Sequence, residues 1–136
     1  MSREIRFHTV TVGLLVRPPG AASLPDDEAA AVQDAHLGHL ADLHDAGHLI
    51  AAGPFDDQDD ERLRGLALFA VPVGEARRLM AGDPAVTAGV LEFQAMAWML
   101  PAGSIRPGRS RYPRSVAEAL GGLQAPDSWT EADSGG

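Results

Sequence analysis

The chain has 136 residues, no cysteine and a formal net charge of −8 at pH 7. This length predicts one domain whose core needs no disulfide, and the missing cysteines exclude a thiol nucleophile and a thiolate metal site. All 11 basic residues are arginines, which excludes Schiff-base and P-loop chemistry because both require lysine, and the acidic balance disfavours nucleic acid and anionic membranes as partners.

The sequence gives no sign of a membrane segment or an export signal. No apolar run approaches the roughly 20 residues that span a bilayer. The N-terminal sequence MSREIRFHTV lacks the apolar segment of a secretory signal. We therefore expect a cytoplasmic protein, a location that the lack of cysteine also suits.

The first predicted element is a strand from Ile5 to Val16, because apolar and mixed side chains alternate along it. One face is apolar, and the other carries Thr9 and Thr11. Two interpretations of His8, Thr9 and Thr11 stay open. In the first, the strand lies at an edge of the sheet or faces solvent. In the second, these polar residues line a pocket.

A loop rich in proline and glycine precedes the first predicted helix, which begins at Asp26 and ends near Gly47. Acidic residues at its start suit the helix dipole, and a glycine at its end is typical of a C-cap. His36 shares the apolar face of this helix. A short strand over residues 49–52 follows, and Gly53-Pro54 is expected to end it.

The remaining elements complete a β-α-β-β-α-β order. An acidic loop over residues 56–61 leads to a strand over 63–71, a helix over 74–81, a helical turn from Asp83-Pro84 and a last strand over 89–100. This order predicts an α+β fold of the ferredoxin-like type, a four-stranded antiparallel sheet with two helices on one face. Apolar residues on both faces of the last strand favour a partner on the open face, and a homodimer is the simplest partner.

Residues 1–100 form this predicted domain, and residues 101–136 form an extension rich in proline, glycine and arginine. We expect the extension to be partly disordered, above all at residues 131–136, or to pack on the domain or on a partner subunit. A short helix is predicted over residues 115–120, and Trp129 is a candidate anchor. Four arginines of the extension could bind an anion, neutralise an acidic surface or stay mobile; they are Arg106, Arg109, Arg111 and Arg114.

His36 is the candidate catalytic residue. A histidine on an apolar helix face is either a hydrogen-bonded core residue or a general base beside a pocket, and both interpretations stay open. The histidine pairs 36/39 and 44/48 have spacings that metal ligands use, but no acidic residue completes a pattern such as HExxH, so we expect no metal. GxSxG, GxGxxG and Walker patterns do not occur in the sequence, and we expect no cofactor.

Three segments together resemble the YCII-related family: HLGHLADLHDAGHLIAAGPF at residues 36–55, LRGLALFAV at residues 63–71 and DPAVTAGV at residues 83–90. The resemblance implies a dimeric α+β barrel, in which two ferredoxin-like sheets pack face to face and each subunit has a pocket. It also implies that His36 and Asp83 meet in that pocket, where the carboxylate would orient the imidazole as a general base.

Asp83 precedes Pro84 and therefore also has the sequence of a helix N-cap. We expect the two roles to be compatible only where the side chain does not serve both at once. The candidate substrate-binding residues are His8, Thr9, Thr11, Gly53, Pro54 and Trp98.

The leading hypothesis is a cofactor-independent enzyme of proton transfer. It would eliminate, isomerise or cyclise a small, conjugated, oxygenated substrate in a secondary-metabolite or catabolic pathway. Family-level parallels include a dehydrochlorinase acting on a chlorinated hydroxyquinol, and related dimeric barrels act as lactone isomerases and cyclases. The alternatives are a non-catalytic metabolite-binding or accessory dimer, and a cofactor-free monooxygenase.

Overall fold

The architecture is taken from a computed structural model, which describes residues 4–121. A four-stranded antiparallel sheet has the strand order β2-β3-β1-β4. Its strands are β1 (Phe7–Val16), β2 (Leu49–Pro54), β3 (Leu63–Phe69) and β4 (Glu92–Pro101). The predicted disorder of residues 131–136 and the predicted anchor Trp129 lie outside the described residues.

Four helices accompany the sheet: α1 (Asp26–Asp45), α2 (Val73–Ala81), α3 (Pro84–Thr87) and α4 (Val116–Gly121). The longer helices α1 and α2 cover one face of the sheet and bury the core against it. This core contains Leu15, Leu40, Leu43, Leu49, Ala67, Phe69, Ala76 and Met80. The predicted α+β, ferredoxin-like fold is therefore confirmed, with α3 and α4 added to its two helices. Among the described residues, no helix has both the length and the apolar character to cross a membrane.

The helix-covered face of β1 is the face with the smaller and more polar side chains. Thr11 is 2% exposed, and its hydroxyl donates a hydrogen bond to the Val71 carbonyl at 2.6 Å. A Cβ at Gly13 would overlap the Phe93 ring and lie 3.3 Å from Phe69. Small residues on β1 therefore make room for two aromatic rings, which meet edge to face with centroids 5.7 Å apart.

The position of β1 corrects one interpretation made from the sequence. β1 is a central strand between β3 and β4 rather than an edge strand. Its apolar face, with Val10 and Val12, points away from the helices, opposite Trp98 and Met96 of β4. Met96 and Trp98 are each 44% exposed, so the open face of the sheet is apolar and partly accessible.

Strand β2 is also longer than expected. It continues through Gly53 and Pro54 instead of ending before them. β2 lies at the edge of the sheet, where a proline is tolerated because its missing N–H costs no ladder hydrogen bond. A bulge between Leu49 and Ala51 shifts the register against β3.

Candidate active site

A buried histidine–aspartate pair connects α1 to α3. His36 lies on the inner face of α1, and Asp83 directly precedes α3. The Nδ1 atom of His36 lies 2.8 Å from one carboxylate oxygen of Asp83 and 2.9 Å from the other. His36 is 5% exposed and Asp83 is fully buried. Since a carboxylate only accepts hydrogen bonds, Nδ1 of His36 carries the hydrogen and donates it.

The Asp83 carboxylate also caps α3. One of its oxygens accepts hydrogen bonds from the backbone N–H groups of Ala85 and Val86, at 3.1 and 3.2 Å, and Pro84 occupies the first helical turn. The expectation that Asp83 serves the cap or the histidine, but not both, is therefore wrong. A carboxylate has two oxygens with about four acceptor positions, so it can bind all three donors at once.

The second ring nitrogen of His36 is accessible. Within residues 4–121, Nε2 has no hydrogen-bond partner. Every fully enclosed side-chain nitrogen or oxygen of the described residues does have a partner. Nε2 is therefore not enclosed, and His36 lines a cleft. With the hydrogen on Nδ1, Nε2 carries the lone pair, so it is the atom that can take a proton from a molecule in the cleft.

The cleft has a volume of about 520 Å³ and is mainly apolar, a size typical of small-molecule sites. Helix α1 and strand β1 supply one side, and strand β2 with the loop after it supplies another. The described part of the extension supplies a third. Besides His36, these three sides include Leu15, Gln33, Leu37 and Leu40, then Ala52, Gly53, Pro54 and Phe55, then Tyr112, Pro113, Val116, Ala119 and Leu120.

Tyr112 fixes the extension against the domain. Its ring stacks on His44 with centroids 4.1 Å apart and an angle of 21° between the planes. Its hydroxyl oxygen accepts a hydrogen bond from the backbone N–H of Ala52 at 2.9 Å. Burial raises the pKa of Tyr112, and the hydrogen bond from Ala52 offsets part of this rise. The phenol therefore binds the edge strand β2 in its neutral form.

Two further contacts hold the extension on the acidic surface of α1. The guanidinium of Arg114 contacts Asp42 and Asp45 at 2.8 and 2.9 Å, and the N–H of Val116 donates to Asp34 at 2.9 Å. Arg111 pairs with Glu118 inside the extension. In these contacts the extension arginines neutralise acidic side chains, one of the three roles considered from the sequence.

The structure brings some of the sequence-predicted residues together at this cleft. Gly53 and Pro54 line it beside His36. It does not bring His8, Thr9, Thr11 or Trp98 there: Thr11 is buried under the helices and bonded to a backbone carbonyl, and Trp98 lies on the open face of the sheet, paired with Val10. His8 and Thr9 pair with the far end of β4. The alternation along β1 showed that its faces differ, but it did not show which face would meet the cleft.

The other histidines of α1 bind backbone carbonyl groups. Nε2 of His39 donates to the Leu79 carbonyl at 2.9 Å. Nδ1 of His44 donates to the Leu49 carbonyl at 2.8 Å, and its Nε2 accepts from the Ser110 N–H at 3.3 Å. Within the part of the chain that the structure describes, no three histidine or acidic side chains are placed to hold a metal ion.

The family model described as the YCII-related domain matches residues 13–98. The chain belongs to the YCII-related family. A solved structure that is similar to it is the 5-chloro-2-hydroxyhydroquinone dehydrochlorinase (TftG) from Burkholderia phenoliruptrix AC1100, in complex with 2,5-dihydroxybenzoquinone. The identity is 23% over 65% of this chain and 92% of that chain, with a TM-score of 0.43. No curated protein matches the chain significantly in sequence.

The YCII-related region of the chain contains both members of the His36–Asp83 pair, whereas the third side of the cleft comes from beyond that region. The sequence predicted that the extension could pack on the domain, but it did not single out Tyr112, the one tyrosine of the chain, which stands in a segment of proline and arginine. It also missed Arg17 and Arg64, which lie on the cleft wall. An exposed arginine at a strand end is common, so these two gave no local signal.

Proposed function

We propose that this YCII-related protein is a cofactor-independent enzyme that moves a proton on a small, conjugated, oxygenated substrate, with His36 as the base. The observation that carries the proposal is the orientation of one imidazole. Its Nδ1 is held by the buried Asp83 carboxylate, and its Nε2 is accessible at a mainly apolar cleft. A general base needs such an orienting partner and an access path for the substrate.

The proposed reaction begins when Nε2 of His36 removes a proton from a carbon next to a conjugated carbonyl group. The electron pair of the broken C–H bond enters the conjugated system, and the imidazole becomes an imidazolium. Asp83 stabilises this cation because its negatively charged carboxylate accepts the hydrogen bond from Nδ1–H. In an isomerisation or cyclisation the imidazolium returns the proton to another atom of the substrate. In an elimination the electron pair expels a leaving group, and the proton goes to that group or to water.

Deuterium incorporation tests the first step before the natural substrate is known. The full-length protein would be incubated in D₂O with a panel of hydroxylated, conjugated ketones and quinols, and exchange of their acidic C–H groups followed by ¹H NMR. A positioned base contributes about 10²–10⁴-fold in rate. We therefore expect His36→Gln to lose at least about 10²-fold of the catalysed exchange, and Asp83→Asn to lose a similar share because Nδ1 loses its anionic partner.

His39→Gln is the matched control for this test. His39 lies on the same helix and binds the Leu79 carbonyl rather than Asp83. Its exchange rate should stay within about twofold of the unmodified protein. Equal exchange in His36→Gln and the unmodified protein, with both folded by circular dichroism, would refute the assignment of His36 as the base.

We also propose that the enzyme is a homodimer that pairs through the open face of its sheet. Val10 and Val12 lie opposite Trp98 and Met96 on this face, and exposed apolar patches of this kind are typical of interfaces. The dimeric barrel that the family resemblance implies uses the same face. A two-fold contact suits it because equivalent apolar rows then meet.

Analytical ultracentrifugation tests the dimer. Trp98→Asp should shift the unmodified dimer to a monomer at micromolar concentration, because it places a charge in the proposed contact. Met99→Asp is the control: Met99 is the next residue of β4, is 67% exposed and points to the opposite face. A monomeric unmodified protein, or equal dissociation by both substitutions, would contradict the proposed interface.

A further inference from the structure

The charge on the cleft wall is opposite to that of the chain. The sequence has 19 acidic residues against 11 arginines. Among the described residues, the wall nevertheless includes Arg17 and Arg64 and no aspartate or glutamate. Asp83 is nearby but fully buried and absent from the wall, with His36 donating to its carboxylate. The cleft is thus an exception to the acidic character of the protein.

The guanidinium groups of Arg17 and Arg64 have no acidic partner within residues 4–121. The described ion pairs of arginine use Arg62, Arg111 and Arg114 instead. The side-chain hydrogen bond of Arg64 goes to a backbone carbonyl, that of Glu61, at 3.2 Å. Two arginines at the wall of a cleft are therefore available to an anion that enters it.

The two arginines come from the same end of neighbouring strands. Arg17 follows β1 directly, and its backbone N–H donates to the Arg62 carbonyl at 2.8 Å. In the pairing of β1 with β3, Val16 lies opposite Leu63 and Leu15 lies opposite Gly65, so Arg64 falls at the bulge between them. The sheet therefore presents both cations at one end of the cleft.

The rest of the wall fits an apolar, ring-sized body. Leucine side chains from α1 and aliphatic side chains from the extension face it, with the amides of Gln33 and Gln58 as further hydrogen-bonding groups. A ligand that satisfies the whole wall has an apolar conjugated part and a negative end. Guanidinium groups prefer planar anions with two oxygens, because each can donate two parallel hydrogen bonds to them.

We propose that the cleft selects planar organic anions, conjugated carboxylates or enolates, whose negative end binds Arg17 and Arg64. The inference rests on the proposed function in that it takes the cleft beside His36 as the substrate site. It also deepens that function, because a conjugated substrate that loses a proton to His36 gains negative charge on its oxygen atoms. An arginine-bearing wall stabilises that charge.

Calorimetric titration of the full-length protein with 2-naphthoate and 2-naphthamide tests the selection. The two probes have the same ring system and nearly the same shape, and they differ in charge. A charge-assisted hydrogen bond is stronger than a neutral one by an amount that corresponds to about tenfold in affinity. We expect 2-naphthoate to bind at least about tenfold more tightly than 2-naphthamide, with a preference that weakens as salt is raised.

Arginine variants assign the preference to the cleft. Arg17→Gln and Arg64→Gln should each weaken binding of 2-naphthoate about tenfold and change that of 2-naphthamide less than twofold. Arg78→Gln removes the same charge from an exposed position of α2 outside the cleft. It should change neither affinity by more than twofold.

Three results would overturn the proposal: no preference for 2-naphthoate, including no binding of either probe; unchanged 2-naphthoate affinity in both cleft variants; or an equal loss in Arg78→Gln. The binding assay is independent of turnover. A clear anion preference together with unchanged proton exchange in His36→Gln would keep the anion site and refute the catalytic role. Lost exchange in His36→Gln without an anion preference would keep the base and refute the anion site.

Discussion

The Asp83 carboxylate both caps α3 and binds His36, so substituting it should change the stability of the fold and the geometry of the site together. It accepts the Nδ1–H of His36 at 2.8–2.9 Å and the backbone N–H groups of Ala85 and Val86 at 3.1 and 3.2 Å. Asp83→Asn keeps one oxygen, and asparagine caps a helix about as well as aspartate. The retained oxygen can accept from the cap and from His36, so the variant should keep the cap and lose the charge-assisted bond to His36.

The expected magnitudes follow from these contacts. Hydrogen bonds that involve a charged group contribute about 1.5–3 kcal/mol, so Asp83→Asn should lower the free energy of unfolding by about 2 kcal/mol. Asp83→Ala also removes the cap, which contributes about 1 kcal/mol, and should cost about 3 kcal/mol in total. In a double-mutant cycle, His36→Ala and Asp83→Asn should show a coupling energy of about 2 kcal/mol.

Urea unfolding followed by circular dichroism measures these values, at one fixed protein concentration because the stability of the proposed dimer would depend on concentration. The control cycle pairs Asp83→Asn with His39→Ala, since His39 binds the Leu79 carbonyl instead. That coupling should stay within about 0.5 kcal/mol. A His36–Asp83 coupling below about 0.5 kcal/mol would refute the reasoning, because the carboxylate would then not hold the imidazole in place.

Three further predictions concern the core and the extension. Gly13→Ala should lower the free energy of unfolding by about 1–3 kcal/mol in urea, because its Cβ would lie 2.6 Å from Cζ of Phe93. Gly38→Ala in α1 is the control: nothing lies within 4 Å of the added Cβ, so this variant should raise the free energy of unfolding by about 0.5–1 kcal/mol. Equal effects of the two substitutions would contradict close packing at Gly13. Tyr112→Phe removes the oxygen that accepts the Ala52 N–H hydrogen bond and should lower the free energy of unfolding by about 1 kcal/mol. The Ala52 amide should then exchange its hydrogen faster, and an unchanged exchange rate would contradict the prediction. Burial raises the pKa of Tyr112 above 10.0, so the folded state favours the neutral phenol: its contribution to stability is complete below pH 10 and is lost as the pH rises through the higher folded-state value. Unfolding curves at pH 9–11.5 should show this loss in the unmodified protein and not in Tyr112→Phe.

The order of the elements could be predicted because alternation and helical periodicity are local signals. Which face of β1 packs against the helices could not be predicted, since hydrophobicity alone indicates the wrong face. Val10 and Val12 look like core residues, yet the helices cover the face of Thr11 and Gly13. The reason is volume: small residues on β1 are needed where the Phe69 and Phe93 rings meet.

For the candidate site, too, some residues could be predicted from the sequence and others could not. His36 and Asp83 could be paired in advance through the family resemblance, and the structure places them in contact although 47 positions separate them. The double contact of Asp83 was missed because a sequence pattern does not show that one carboxylate reaches both the His36 ring and the first N–H groups of α3. Tyr112, which meets Ala52 across 60 positions, lies in a segment without periodicity, so only the folded structure relates it to the cleft.

The order in which the chain is synthesised gives the extension a particular consequence. A nascent chain leaves the ribosome from its amino end, and a domain generally folds once its elements are available. The sheet and the His36–Asp83 pair are complete when β4 has emerged at Pro101, whereas Tyr112 and α4 follow later. The His36–Asp83 pair is therefore assembled in an open cleft, and the extension, which is made later, then narrows it. We expect a protease cut between Gly103 and Gly108, or an early stop there, to leave a folded domain that keeps the His36–Asp83 contact and lacks one side of the cleft.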